Sequence, residues 1–95
     1  MVIKDLQPTG FASPFGYDGK NYTVEGQFTA DAQKNIENIT GCAMVDGVLR
    51  ANFNGVRISK EKMRYNFTEI QDLSELANIA TEVDSAVKEI ETELK

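Results

Sequence analysis

The side chains with chemical potential in this 95-residue chain are carboxylates, arginines and one thiol. Glu75, Glu82 and Glu89 recur at steps of seven, and Glu89 and Glu93 stand one helical turn apart. Carboxylates so spaced share a helix face and can gather a hard cation. An exposed helix face is a poor pocket, however, so they read as solvated surface. There is no His. The usual general base near neutral pH is therefore missing, and neither Ser-His nor Cys-His catalysis nor a His-ligated metal can be assembled. Cys42 is the single cysteine. It excludes an intramolecular disulfide and a multi-thiolate zinc site, and it reads as a small buried hydrophobe. No glycine-rich phosphate loop, Gly-x-Ser-x-Gly or calcium-loop pattern occurs. The expectation is a non-enzymatic protein with no cofactor and no metal. Asn-x-Thr triplets at Asn21, Asn38 and Asn66 read as chance occurrences in a chain whose start has no secretory pattern.

The arginines suggest a second chemistry. Between positions 50 and 64, Arg50, Arg57, Lys60, Lys62 and Arg64 are opposed only by Glu61. Arg50, Arg57 and Arg64 on one sheet face would bind phosphate or nucleic acid. Against this stands a net charge of −5. Phe53, Tyr65 and Phe67 also fall on the core face, where they cannot stack on bases. The acidic surplus sits at one end. Residues 1–67 hold eight basic and seven acidic side chains, and residues 68–95 hold two and eight. An acidic helix exposing Glu82, Glu89 and Glu93 would resemble a nucleic acid to a basic partner.

The elements that must position these groups follow from periodicity. Tyr22, Val24, Gly26 and Phe28 alternate with polar residues, which predicts a half-buried strand over 21–29. Residues 30–38 read as a short helix capped by Thr29, with Ile36 and Ile39 inward. Asp46-Gly47 and Asn54-Gly55 are both two-residue hairpin signals. Registering both turns puts Cys42, Met44, Leu49, Ala51, Phe53, Val56 and Ile58 on one core face. Arg50 and Arg57 fall on the other. Met63, Tyr65 and Phe67 continue the alternation as a further strand. Both prolines, Pro8 and Pro14, and the aromatics Phe11, Phe15 and Tyr17 lie in residues 1–20. That segment reads as an irregular arm that folds back on the core or docks on a partner.

From Thr68 the period changes. Leu73, Leu76, Ala80, Val83, Val87, Ile90 and Leu94 recur at alternating steps of three and four, with no Gly or Pro after Gly55. A helix over 69–94 would be about 39 Å long, against about 20 Å for a six-residue strand. Its distal residues, Val83, Val87, Ile90 and Leu94, would then need cover from another protein or a second copy. Asp84, Glu91 and Glu93 flank that stripe and oppose a parallel self-pairing. The longest apolar run, Cys42–Val45, is far short of a membrane span, and a reducing cytoplasm is the expected compartment.

The sequence therefore predicts one α+β domain over 1–95, an antiparallel β-meander of four to five strands packed against one long C-terminal helix. The arm occupies 1–20, the sheet 21–67 and the helix 68–95. The expected function is a protein-protein interaction or assembly module working through the distal helix. Anion binding by the arginines and nucleic-acid mimicry by the helix are the alternatives.

Overall fold

Alternating side chains and tight turns build an uninterrupted meander. The computed structural model describes residues 1–95 as five strands: β1 (Ser13–Asp18), β2 (Thr23–Ala30), β3 (Ile36–Val45), β4 (Val48–Ser59) and β5 (Lys62–Thr68). They lie in the order β1-β2-β3-β4-β5, each antiparallel to the next. A 3₁₀ turn (Leu73–Glu75) leads into α1 (Leu76–Leu94). α1 runs over β2 and β3. Its Ile79, Val83, Ala86, Val87 and Ile90 meet Phe15, Val24, Phe28, Ile36, Ile39, Ala43, Ala51 and Phe53 in one cluster. This is the predicted α+β arrangement, a sheet with one face covered by a helix.

Asp46-Gly47 turns as expected, with φ of 51° and 79°, the geometry that matches strand twist. Asn54-Gly55 does not turn. β4 continues through it to Ser59. Gly55 faces the helix side, and a Cβ there would stand 2.9 Å from both the Ile39 methyl and the Tyr65 ring. Glycine marks a close approach at this point, not a bend.

Two irregularities in β4 change which side chains face inward. Met44 pairs with Leu49 but Ala43 with Ala51, so Arg50 is an extra residue. Arg57 pairs with Met63 but Ser59 with Lys62, so Ile58 is extra. Bulges of this kind re-aim the strand. Ala51 and Phe53 are buried as expected, while Leu49, Val56 and Ile58 are exposed and Cys42 and Met44 only half-buried. Ala43 and Ile39 take the core positions instead.

Residues 31–35 form a turn, where a short helix was expected. The Asp31 carboxylate accepts from the backbone N–H of Gln33 and Asn35, both at 2.9 Å. Such local side-chain bonds compete with helix formation. Ile36 and Ile39 are inward, but from β3. The register slips between Thr29/Ala30 and Asn38/Ile36, leaving Glu37 unpaired. That slip turns a three-residue spacing into two core contacts on one strand.

The expected arm holds β1 in its second half. Pro14 is tolerated because β1 is a sheet edge. Val2 to Lys4 run alongside it: Lys4 N–H donates to Pro14 O and Gly16 N–H to Val2 O, each at 2.9 Å.

The helix begins later than predicted, at Leu76, because β5 extends to Thr68 and Glu69 adopts a φ of 54°. Nineteen residues span about 28 Å, within the 37 Å long axis of the molecule. Val83, Val87 and Ile90 are accordingly 0%, 3% and 0% exposed in the single chain, and Leu94 packs half-buried at the core margin. The predicted uncovered apolar stripe does not exist. β3 and β4 are ten and twelve residues long, and dividing β4 at Asn54-Gly55 had halved the cover the sheet provides.

Candidate functional site

Three acidic residues of the helix turn toward the sheet. Glu82 is 7% exposed. Its carboxylate accepts from the backbone N–H of Asn21 at 3.0 Å and of Tyr22 at 3.1 Å, holding the entry to β2. Glu91 accepts from Ile36 N–H at 3.0 Å at the entry to β3, and it pairs with the Arg57 guanidinium. Arg57 Nε also donates to Ile36 O at 2.9 Å. Glu93 accepts from Val2 N–H at 2.7 Å and so ties down the strap along β1. Strand entries and edges carry backbone donors that no ladder satisfies, and a carboxylate accepting them makes a strong charge-assisted bond.

Glu75 completes the set before the helix begins. It accepts from the Tyr22 hydroxyl at 2.8 Å and pairs with Arg50 through Nε, at 3.1 Å, and Nη2. The Arg50 bond, followed by the Tyr22 bond, holds the Glu75 carboxyl below its ordinary range. Burial first, and the bond to Glu75 second, push the Tyr22 phenol up to about 12. Asp72 caps the 3₁₀ turn by accepting from Ser74 N–H at 3.0 Å, which lowers its own carboxyl. Arg50 reaches Glu75 from its bulge, so the irregularity in β4 serves this pair.

These contacts decide where the predicted site residues stand. Arg50 and Arg57 lie on the helix side, each engaged by a glutamate. Arg64 is exposed on the opposite face, paired in register with Val56. The three do not share a surface: the bulge turns Arg50 to the helix side, and Arg57 follows it there because β4 runs straight through Asn54-Gly55. Of the acids expected to imitate a nucleic acid, Glu82 and Glu93 point inward and only Glu89 is exposed. Val83, Val87 and Ile90 belong to the core. Cys42 sits half-buried beside Glu25, and burial raises its thiol. No His, Cys, Asp and Glu groups converge as a metal site, and no helix is long and apolar enough to cross a membrane.

What remains open is the sheet. Its uncovered face carries neutral polar side chains in register. Gln27, Thr40, Asn54 and Asn66 form one row across four strands, all exposed. The two sheet edges differ. The β1 edge is covered by Val2–Lys4. Along β5, no backbone bond is made beyond the ladder to β4. On its helix side β5 presents Met63, Tyr65 and Phe67, all half-buried and packed against the central cluster. The Tyr65 hydroxyl is buried without a hydrogen-bond partner, and burial, aided by Asp84, pushes its phenol up to about 12.

Sequence reasoning missed both the β5 edge and the strap. The alternation of Met63, Tyr65 and Phe67 signals a strand, but nothing local says that it is outermost. Comparison with protein-family models, curated proteins and solved structures finds no match to this chain.

Proposed function

We propose that the chain is a non-enzymatic interaction or assembly module that works through the bare edge of its sheet, with the cytoplasm as its compartment. The observation that carries this reading is the difference between the two edges. One is sealed by a strap that Glu93 holds in place, and the other is a seven-residue strand whose outward-pointing backbone groups have no partner. An edge of that kind is a template for another strand. Lys62 and Arg64 supply the charge that keeps it from pairing indiscriminately. The helix is a brace on this reading, since Glu82, Glu91 and Glu93 are engaged within the chain.

The test is site-specific photo-crosslinking in the producing cell, with the reactive side chain at Lys62 or, as a control, at Glu89. Both positions are exposed, one on β5 and one on the outer side of α1. A discrete adduct is expected from position 62 and none from position 89. Absence of an adduct at 62 would refute the reading.

A further inference from the structure

Away from β5, the loop after the strap and the turn after β2 frame a cavity of about 260 Å³. Its apolar wall is Leu6, Phe11, Ala30 and Leu94. Leu6 and Phe11 remain 60% and 66% exposed, so two large apolar side chains stand over the cavity without cover from the rest of the chain. The loop is already closed on itself. Gln7 N–H donates to Ser13 Oγ at 2.8 Å, and Phe11 N–H to Pro8 O at 3.0 Å. We infer that this cavity is a binding site for a small monocarboxylate with an apolar tail, such as a medium-chain fatty acid.

Two unmet groups in the lining select the head of that ligand. Lys34 lines the cavity and takes part in none of the chain's ion pairs. It also holds a φ of 67°, the left-handed region where glycine or asparagine is the usual occupant. A lysine kept in that strained position indicates a use for its ammonium. Ser13 is 1% exposed, and its Oγ accepts from Gln7 while its proton has no acceptor. An ammonium and a hydroxyl proton both call for an acceptor, so the head is an anion and not an amine. Asp31, the one opposing charge in the lining, has Oδ1 engaged by the N–H groups of Gln33 and Asn35. One lysine beside one aspartate favours a single negative charge over two, and so a carboxylate over a phosphate. The cavity lies just below the range that takes drug-sized ligands, which suits a chain of about eight carbons.

None of the lining residues belongs to β5, so the site stands or falls independently of crosslinking at position 62. The experiment titrates the full chain with octanoate, octylamine and octanol, each below its micelle concentration, and follows the backbone amides by NMR, beside K34G and F11A. Glycine adopts a φ of 67° without strain, Phe11 is exposed, and unchanged circular dichroism establishes that both variants fold. Octanoate is expected to saturate, to shift the resonances of Leu6, Phe11, Ala30 and Leu94, and to bind more tightly than octanol, with octylamine weakest. K34G weakens octanoate roughly twofold to fivefold and leaves octanol unchanged, whereas F11A weakens both alike. Shifts that never saturate, or that saturate elsewhere on the surface, overturn the inference. Equal affinities for octanoate and octylamine overturn it as well, as does K34G binding octanoate as tightly as the unaltered chain.

Discussion

Glu82 shows how a residue that reads as surface can be structural. Its carboxylate satisfies the backbone donors of Asn21 and Tyr22 at the mouth of β2. Glu82→Ala strands those donors in a water-poor site and is expected to cost about 1–3 kcal/mol, read by urea denaturation. Glu89→Ala, on the solvated side, is expected to change stability by less than about 0.5 kcal/mol. The phenols set an alkaline limit. Tyr22 and Tyr65 both move from 10.0 to about 12 on folding, so each favours the fold through its protonated form. Their contribution is complete below pH 10 and declines as pH rises toward 12. Tyr22→Phe should flatten part of that decline in denaturation midpoints taken across the window, and an unchanged slope would contradict the raised Tyr22 phenol. Glu75 has the opposite sign. Its lowered carboxyl stabilises the fold above the ordinary carboxylate value, and that contribution fades as pH drops through the lowered one.

At the scale of elements, β2 and β3 approach more closely than ordinary side chains allow. Gly26 and Gly41 face each other in register. A Cβ on Gly26 would stand 1.9 Å from the Thr40 carbonyl oxygen, and one on Gly41 2.0 Å from that of Glu25. Gly26→Ala must therefore displace backbone, and a loss of about 2–3 kcal/mol is expected, visible as a lowered thermal midpoint. The same central strands show what pattern alone can and cannot convey. The alternation in β2, the Asp46-Gly47 turn and the apolar stripe of α1 are local signals, and they specified a meander with a helix on one face. Facing was lost where register depends on partners. Arg50, Ile58 and Glu37 are each one residue too many for the strand beside them, and one extra residue inverts every side chain beyond it. Asn54-Gly55 is a turn signal overridden by the Tyr65 ring. The carboxylates were placed at the right spacing, but their donors lie 25 to 91 residues away in sequence, beyond the reach of a local window.

Over the whole molecule, helix and sheet are matched in length, and the apolar stripe of α1 is internal. Ile90→Ala is therefore expected to lower stability by about 2–5 kcal/mol, read by urea denaturation. Removing residues 1–4 should have a different signature. It bares the β1 edge, leaves the central cluster of buried side chains largely intact, and should convert the protein to concentration-dependent aggregation measurable by light scattering. The strap has a further consequence during synthesis. Val2 is translated 91 residues before Glu93, whose carboxylate fastens it. Until that glutamate has left the ribosome, the nascent sheet has two unguarded margins, and a chaperone has its longest opportunity at the margin the finished protein hides.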